Sequence, residues 1–147
     1  IRLILIISMV EILLVKRTWK IFRNIDSHLV GDAFYSKLFT DDRGLRKMFP
    51  ASMEQQYQKL IGMLNTIVAR LDKLDEIEGQ IADMAKRHVE YGVRPAHYKL
   101  VGIALLWTLQ KGLGDDWNEE VKNAWTTCYK KLADTMIKST ILIEGKV

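Results

Sequence analysis

A chain of 147 residues, 48% hydrophobic and 27% charged, is long enough to bury one core and too apolar to be disordered. A single cysteine, Cys128, excludes an internal disulfide, and no Cys/His cluster has the spacing of structural zinc. The net charge is a mild +4, and its acids and bases are interspersed without a basic stripe, which argues against nucleic-acid binding.

Residues 1–10 read as an apolar leader of unknown role ahead of the first helix. The run "IRLILIISMVEILLV" is too short for a bilayer span, is interrupted by Glu11 and lacks a small-residue cleavage site. A membrane anchor is the second reading of this stretch; the expectation is a cytoplasmic protein without membrane contact. Helical periodicity then predicts a helix over about residues 11–23 and another from a cap at Asp26 or Ser27 to about residue 40. A short turn at residues 44–49 stops at Pro50. The next helix starts at Ser52, with Gln55 as its capping-box partner, and runs to about residue 71. Residues 74–91 form a further helix that ends at Gly92, and Pro95 opens the one reaching about residue 113. The last begins after Asp115 or Asp116, runs to about residue 137 and leaves residues 139–147 as a tail. Short joints between helices of unequal length imply an all-α domain over residues 11–138, with obliquely crossed helices around a shared interior.

Three polar side chains fall on apolar faces. At about 100° per residue, Ile77, Ile81, Met84, His88 and Tyr91 lie within an arc of about 80°, so His88 points with the isoleucines. A buried imidazole needs partners on both ring nitrogens. It is either a core histidine hydrogen-bonded to its surroundings or a metal ligand. Gln56 shares a face with Leu60, Met63 and Ile67, where it either serves a pocket or reaches solvent or neighbouring backbone. Tyr35 sits among Gly31, Leu38 and Phe39 as a pocket residue or a large core side chain. These residues lie on three helices. If the helices enclose a cavity, they present an imidazole on one side and an amide and a phenol on the other.

The stretches "FYSKLFTDDRGLRKMFP", "MEQQYQKLIGML", "RHVEYGVRPAHYKLVGIALL" and "LGDDWNEEVKNAWTTCYKKLADTMI" occur in this order. Through them the chain resembles bacterial single-domain globins, related to the haem domains of flavohaemoglobins and more distantly to neuroglobin. The resemblance implies a globin fold and haem b, with His88 as the proximal iron ligand. It places Phe49 against the porphyrin, Tyr35, Gln56 and Leu60 on the distal side, and Tyr98 beside the proximal histidine. Phe39, Leu60, Met63, Met84, Val93, Val101 and Met136 are the expected apolar haem contacts, and Lys59 and Arg87 are candidates for the propionates. His97 is expected at the surface, and His28 away from iron. Where flavohaemoglobins carry a glutamate on the last helix that completes a proximal His–Tyr–Glu network, this chain has Thr140, so the network is incomplete. The implied function is reversible binding of dioxygen, and of the other diatomic gases CO and NO, at penta-coordinate iron. Nitric oxide dioxygenation with an external reductase is the alternative, and gas sensing a second one.

Overall fold

A computed structural model describes residues 7–144, with residues 141–144 described by their backbone alone. The expectations for residues 1–6 of the leader and for residues 145–147 of the tail lie outside the described residues. Six α-helices form, α1 (Met9–Phe22), α2 (Ser27–Asp41), α3 (Glu54–Ala69), α4 (Glu78–Glu90), α5 (Pro95–Leu113) and α6 (Glu119–Glu144). Three 3-10 turns join them at Arg43–Met48, Leu71–Ile77 and Gly114–Asp116. The described residues include no strand.

Several helix ends follow from local chemistry. The Ser8 hydroxyl accepts from the Glu11 amide at 3.1 Å, and the Ser8 amide donates to the Glu11 carboxylate at 3.2 Å. This capping box starts α1 inside the segment expected to be a leader. Asp26 caps α2 as expected, accepting from the His28 amide at 2.9 Å. Pro95 opens α5 as expected.

Three expectations need correction. The Ser52–Gln55 box does not form; α3 starts at Glu54 behind Met53, without a side-chain cap. The Arg46 guanidinium holds the carbonyls of Phe49, Pro50 and Ala51 at 3.2, 2.9 and 3.0 Å, which keeps the chain out of helix until Met53 is passed. Second, the helix expected from residue 74 is a 3-10 turn until Ile77, with Lys73 at φ −142° and ψ 45°. Leu71 and Ile77 are buried there and Leu74 half-buried. The kink at Lys73 breaks the segment into two short turns, so the chain leaves the α-helix here and resumes it at Glu78. Third, α6 does not stop near residue 137 but runs on to Glu144; its start at Glu119 falls after Asp116 as expected, where the Asn118 side chain accepts from the Val121 amide at 2.9 Å.

Helix α1 packs on α5 and α6, α2 on α3 and α5, and α4 on α6. At the α2–α3 crossing, Gly31 lies against the ring of Tyr57, closer than any Cβ could. The indole N–H of Trp125 donates to the Thr18 hydroxyl at 2.9 Å and ties α6 to α1 in the deepest part of the core. The buried residues form two clusters. The larger joins α1, α2, α3, α5 and the start of α6, and contains Tyr35, Leu60 and Leu64. The smaller joins Ile67, Ile77, Ile81, Ala85, Leu132 and Met136. Met63 and Leu74 touch both. Helix α4 thus leans on α6 and the turn before it, without packing broadly on α2, α3 or α5. The seam between the two clusters runs past Met63 and Leu74.

Candidate functional site

On the larger cluster's side of this seam, α2 contributes Tyr35 and α3 contributes Gln56. Tyr35 is buried and Gln56 half-buried. The Gln56 amide donates to the Tyr35 hydroxyl oxygen at 3.0 Å. That bond occupies an acceptor position on the phenol and leaves its O–H free to donate elsewhere. Burial pushes the Tyr35 hydroxyl up to about 12, the Gln56 bond opposes this, and nearby Tyr57 adds to it. The group therefore remains a neutral donor around neutral pH. Aromatic rings hold it in place. The Tyr35 ring stacks on Tyr57 (5.7 Å, 19°) and meets Phe34 and Phe49 edge-on at 4.9 and 5.4 Å. Phe49 also packs on Phe39 at 5.4 Å, and the Arg46 guanidinium lies over the Phe39 ring at 5.6 Å.

On the other side, α4 turns Ile81 and Ala85 inward and leaves Met84 and His88 half-buried at their edge. Tyr91, expected on the same buried face, is 60% exposed. Helix α4 ends at Glu90 with Tyr91 as its C-cap, and Gly92 at φ 91° then turns the chain away. The imidazole of His88 donates from Nδ1 to the Met84 carbonyl at 2.7 Å. Its Nε2 has no hydrogen-bond partner among the described residues. Burial lowers the imidazole pKa, the Met84 bond works against this, and Arg87 lowers it a little further, so the ring is held neutral. The ring lies nearly parallel to that of Tyr98 at 6.5 Å. The Tyr98 hydroxyl is buried without a partner among the described residues, and Thr140 turns its own hydroxyl to the Ile137 carbonyl. The Tyr98 carbonyl accepts from Tyr129 of α6.

The remaining predicted residues divide by depth. Leu60 and Met136 are buried; Phe39, Phe49, Met63, Val93 and Val101 are half-buried; Lys59 and Arg87 are exposed. His97 departs from its expected surface role. It is half-buried, and its Nδ1 accepts from the Arg94 amide at 2.9 Å to close the first turn of α5. His28 is exposed and pairs with Glu54 at 3.1 Å. Sequence reasoning missed Arg46 and Tyr57. Arg46 carries no signal, because it acts through backbone carbonyls of an irregular segment. For Tyr57 the one available signal was Gly31 on the inner face of α2, a small residue that a large ring of another helix packs against.

A family profile described as Globin matches residues 32–136. The chain belongs to the globin family. It is 33% identical over 103 residues to an uncharacterized globin-like protein of Aquifex aeolicus, covering 70% of this chain and 73% of that one. It is also 33% identical over 107 residues to a flavohemoprotein of Deinococcus radiodurans, covering 71% of this chain and only 27% of that longer protein. An engineered carbene transferase made from a candidate nitric oxide dioxygenase of Rhodothermus marinus superposes with a TM-score of 0.85 at 24% identity, covering 95% of this chain and 97% of that one. The six helices are those of a globin fold.

Globins hold haem, and the residues of this globin suit that group. No set of three His, Cys, Asp or Glu side chains among the described residues gathers to hold a bare ion. A lone imidazole with one nitrogen anchored and the other free suits a metal whose equatorial ligands come from a macrocycle. The seam's apolar edges suit the faces of that macrocycle.

Proposed function

We propose that this globin holds haem b through Nε2 of His88 and reversibly binds dioxygen, with Tyr35 and Gln56 on the distal side. The observation that carries this reading is the Gln56–Tyr35 hydrogen bond, which leaves a buried neutral phenol with one free donor. Haem held there supplies an iron that takes up a neutral diatomic gas such as dioxygen, CO or NO. The chain's own groups set how tightly the gas stays. The Tyr35 O–H would donate to a gas molecule held beside it, and the Gln56 amide orients that O–H. Leu60, Met63, Phe39 and Phe49 exclude water, which strengthens the bond. The Met84 carbonyl holds the His88 ring in the tautomer whose Nε2 carries a lone pair. Phe39, Phe49, Leu60, Met63, Met84, Val93, Tyr98, Val101 and Met136 are assigned to the haem walls, and Lys59 and Arg87, both exposed, to its propionates. A cytoplasmic setting goes with this reading.

The test is the absorption spectrum of the reduced protein before and after carbon monoxide. A sharp CO-dependent shift of the main haem band, lost in His88→Ala, supports the assignment. Protein that stays colourless with added haemin, or an unchanged spectrum in His88→Ala, refutes it.

Nitric oxide dioxygenation with a separate reductase is the second reading, favoured by the similarity to flavohemoproteins. Rapid mixing of the oxygenated protein with nitric oxide and a reductase distinguishes the two. Turnover beyond one equivalent supports the enzyme, and a single stoichiometric oxidation supports the carrier. Gas sensing needs a partner to receive the signal, and no feature of the site favours it.

A further inference from the structure

Helix α1 is apolar on two sides. Its inner face buries Ile12, Val15, Trp19 and Phe22. On its outer face Met9, Val10 and Leu13 are 62%, 66% and 59% exposed, and Ile21 is 42% exposed. At about 100° per residue these four share an arc of about 120° with Arg17 and Lys20, both exposed. Met9, Val10 and Leu13 therefore occupy the first half of the face, and Arg17, Lys20 and Ile21 the second. The face carries no acid. Glu11, the one acid of α1, is tied to Ser8 by the capping box and belongs to another side of the helix. Lys16 is already paired, with Asp72 at 3.1 Å. Ahead of the patch the sequence reads "IRLILI", five apolar residues and an arginine.

We propose that the outer face of α1 is a docking surface for an anionic phospholipid bilayer, lying in the interface rather than crossing it. Among the described residues no helix is long and apolar enough to span a membrane. A large exposed apolar strip beside cations, on a helix whose other face is anchored in the core, is the pattern of an interfacial helix. The charge chooses the occupant. A second copy of the chain would bring the same cations and no acid to neutralise them. An anionic headgroup layer meets Arg17 and Lys20 while Met9, Val10 and Leu13 enter the acyl boundary. The inference stands whether or not the haem assignment does.

Co-sedimentation of the full chain with vesicles tests it. The vesicles are phosphatidylcholine alone or phosphatidylcholine with one quarter phosphatidylglycerol. The expected result is binding to the anionic vesicles and little to the neutral ones. Leu13→Asp is expected to lower the partition at least about tenfold, and Arg17→Glu and Lys20→Glu about fivefold each or more. Circular dichroism checks that the variants keep their helicity, which substitutions at such exposed positions should not disturb. Absence of binding to the anionic vesicles overturns the proposal, as does binding that Leu13→Asp leaves unchanged. A dimer in lipid-free solution that Leu13→Asp dissociates also overturns it and gives the face to a second copy. So does equal binding to both kinds of vesicle.

Discussion

Replacing Tyr35 by phenylalanine removes the phenolic donor assigned to the distal side. The ring that remains still stacks on Tyr57 and meets Phe34 and Phe49, so no cavity opens and the fold should be kept. What is lost is an O–H whose oxygen is already held by the Gln56 amide at 3.0 Å. A hydrogen bond to a partly charged acceptor in a dry pocket contributes about 1.5–3 kcal/mol. With RT at about 0.59 kcal/mol, its loss speeds dioxygen release by roughly 10- to 150-fold. Gln56 sets the lower end: freed from the phenol, its amide can turn to the gas and recover part of the loss. Tyr35→Phe combined with Gln56→Leu should therefore release dioxygen faster than either single change. The assay is stopped-flow replacement of dioxygen by carbon monoxide, with carbon monoxide release as the control, since that ligand carries less charge and should respond less. Dioxygen release within twofold of the parent, or equal acceleration for both gases, refutes the assignment of the phenol as the stabilising donor.

Other consequences follow from the same geometry. Burial raises the hydroxyls of both Tyr35, to about 12, and Tyr129, where Tyr98 adds to the effect. Both are favoured in the protonated form by the fold. Their contribution to stability is complete below the unfolded value of about 10 and is lost as pH rises from there toward 12. Titration followed by tyrosinate absorbance and helicity should show the last phenols ionising together with unfolding; ionisation of every tyrosine near pH 10 in a fully helical protein would contradict this. Thr18→Val strips the Trp125 indole of its buried acceptor and should cost about 1–3 kcal/mol in urea unfolding; an unchanged midpoint would show that the bond at 2.9 Å is worth little. Gly31→Ala drives a methyl into the Tyr57 ring, so α2 and α3 must part or the ring must move. A loss of about 1–3 kcal/mol is expected, together with faster haem loss, and a stable variant with native haem retention would refute the tight crossing.

Much of this molecule was legible before its coordinates. The periodicity of apolar residues placed α2 and α5 nearly to the residue, because Asp26 and Pro95 act through their immediate neighbours. The same wheel put Gln56 with Leu60, Met63 and Ile67, and those side chains do share a partly buried face. It failed where the chain kinks at Lys73 and leaves the α-helix. Leu71, Leu74 and Ile77 were absorbed into neighbouring helices, and Tyr91 was carried past the true end of α4. It also failed at Ser52, since the force that delays α3 comes from Arg46, outside the helix.

Local chemistry along the chain thus determined the all-helical class, several of the caps and which side chains were out of place on apolar faces. Tertiary structure alone decided what those side chains do. That Gln56 meets the oxygen of Tyr35, that Arg46 gathers three carbonyls, and that α4 leans on α6 to leave a seam are facts about helices meeting one another. A periodic pattern specifies which way a residue points from its own axis. The partner it finds depends on where the other axes lie, and packing around residues such as Gly31 and Trp125 sets that.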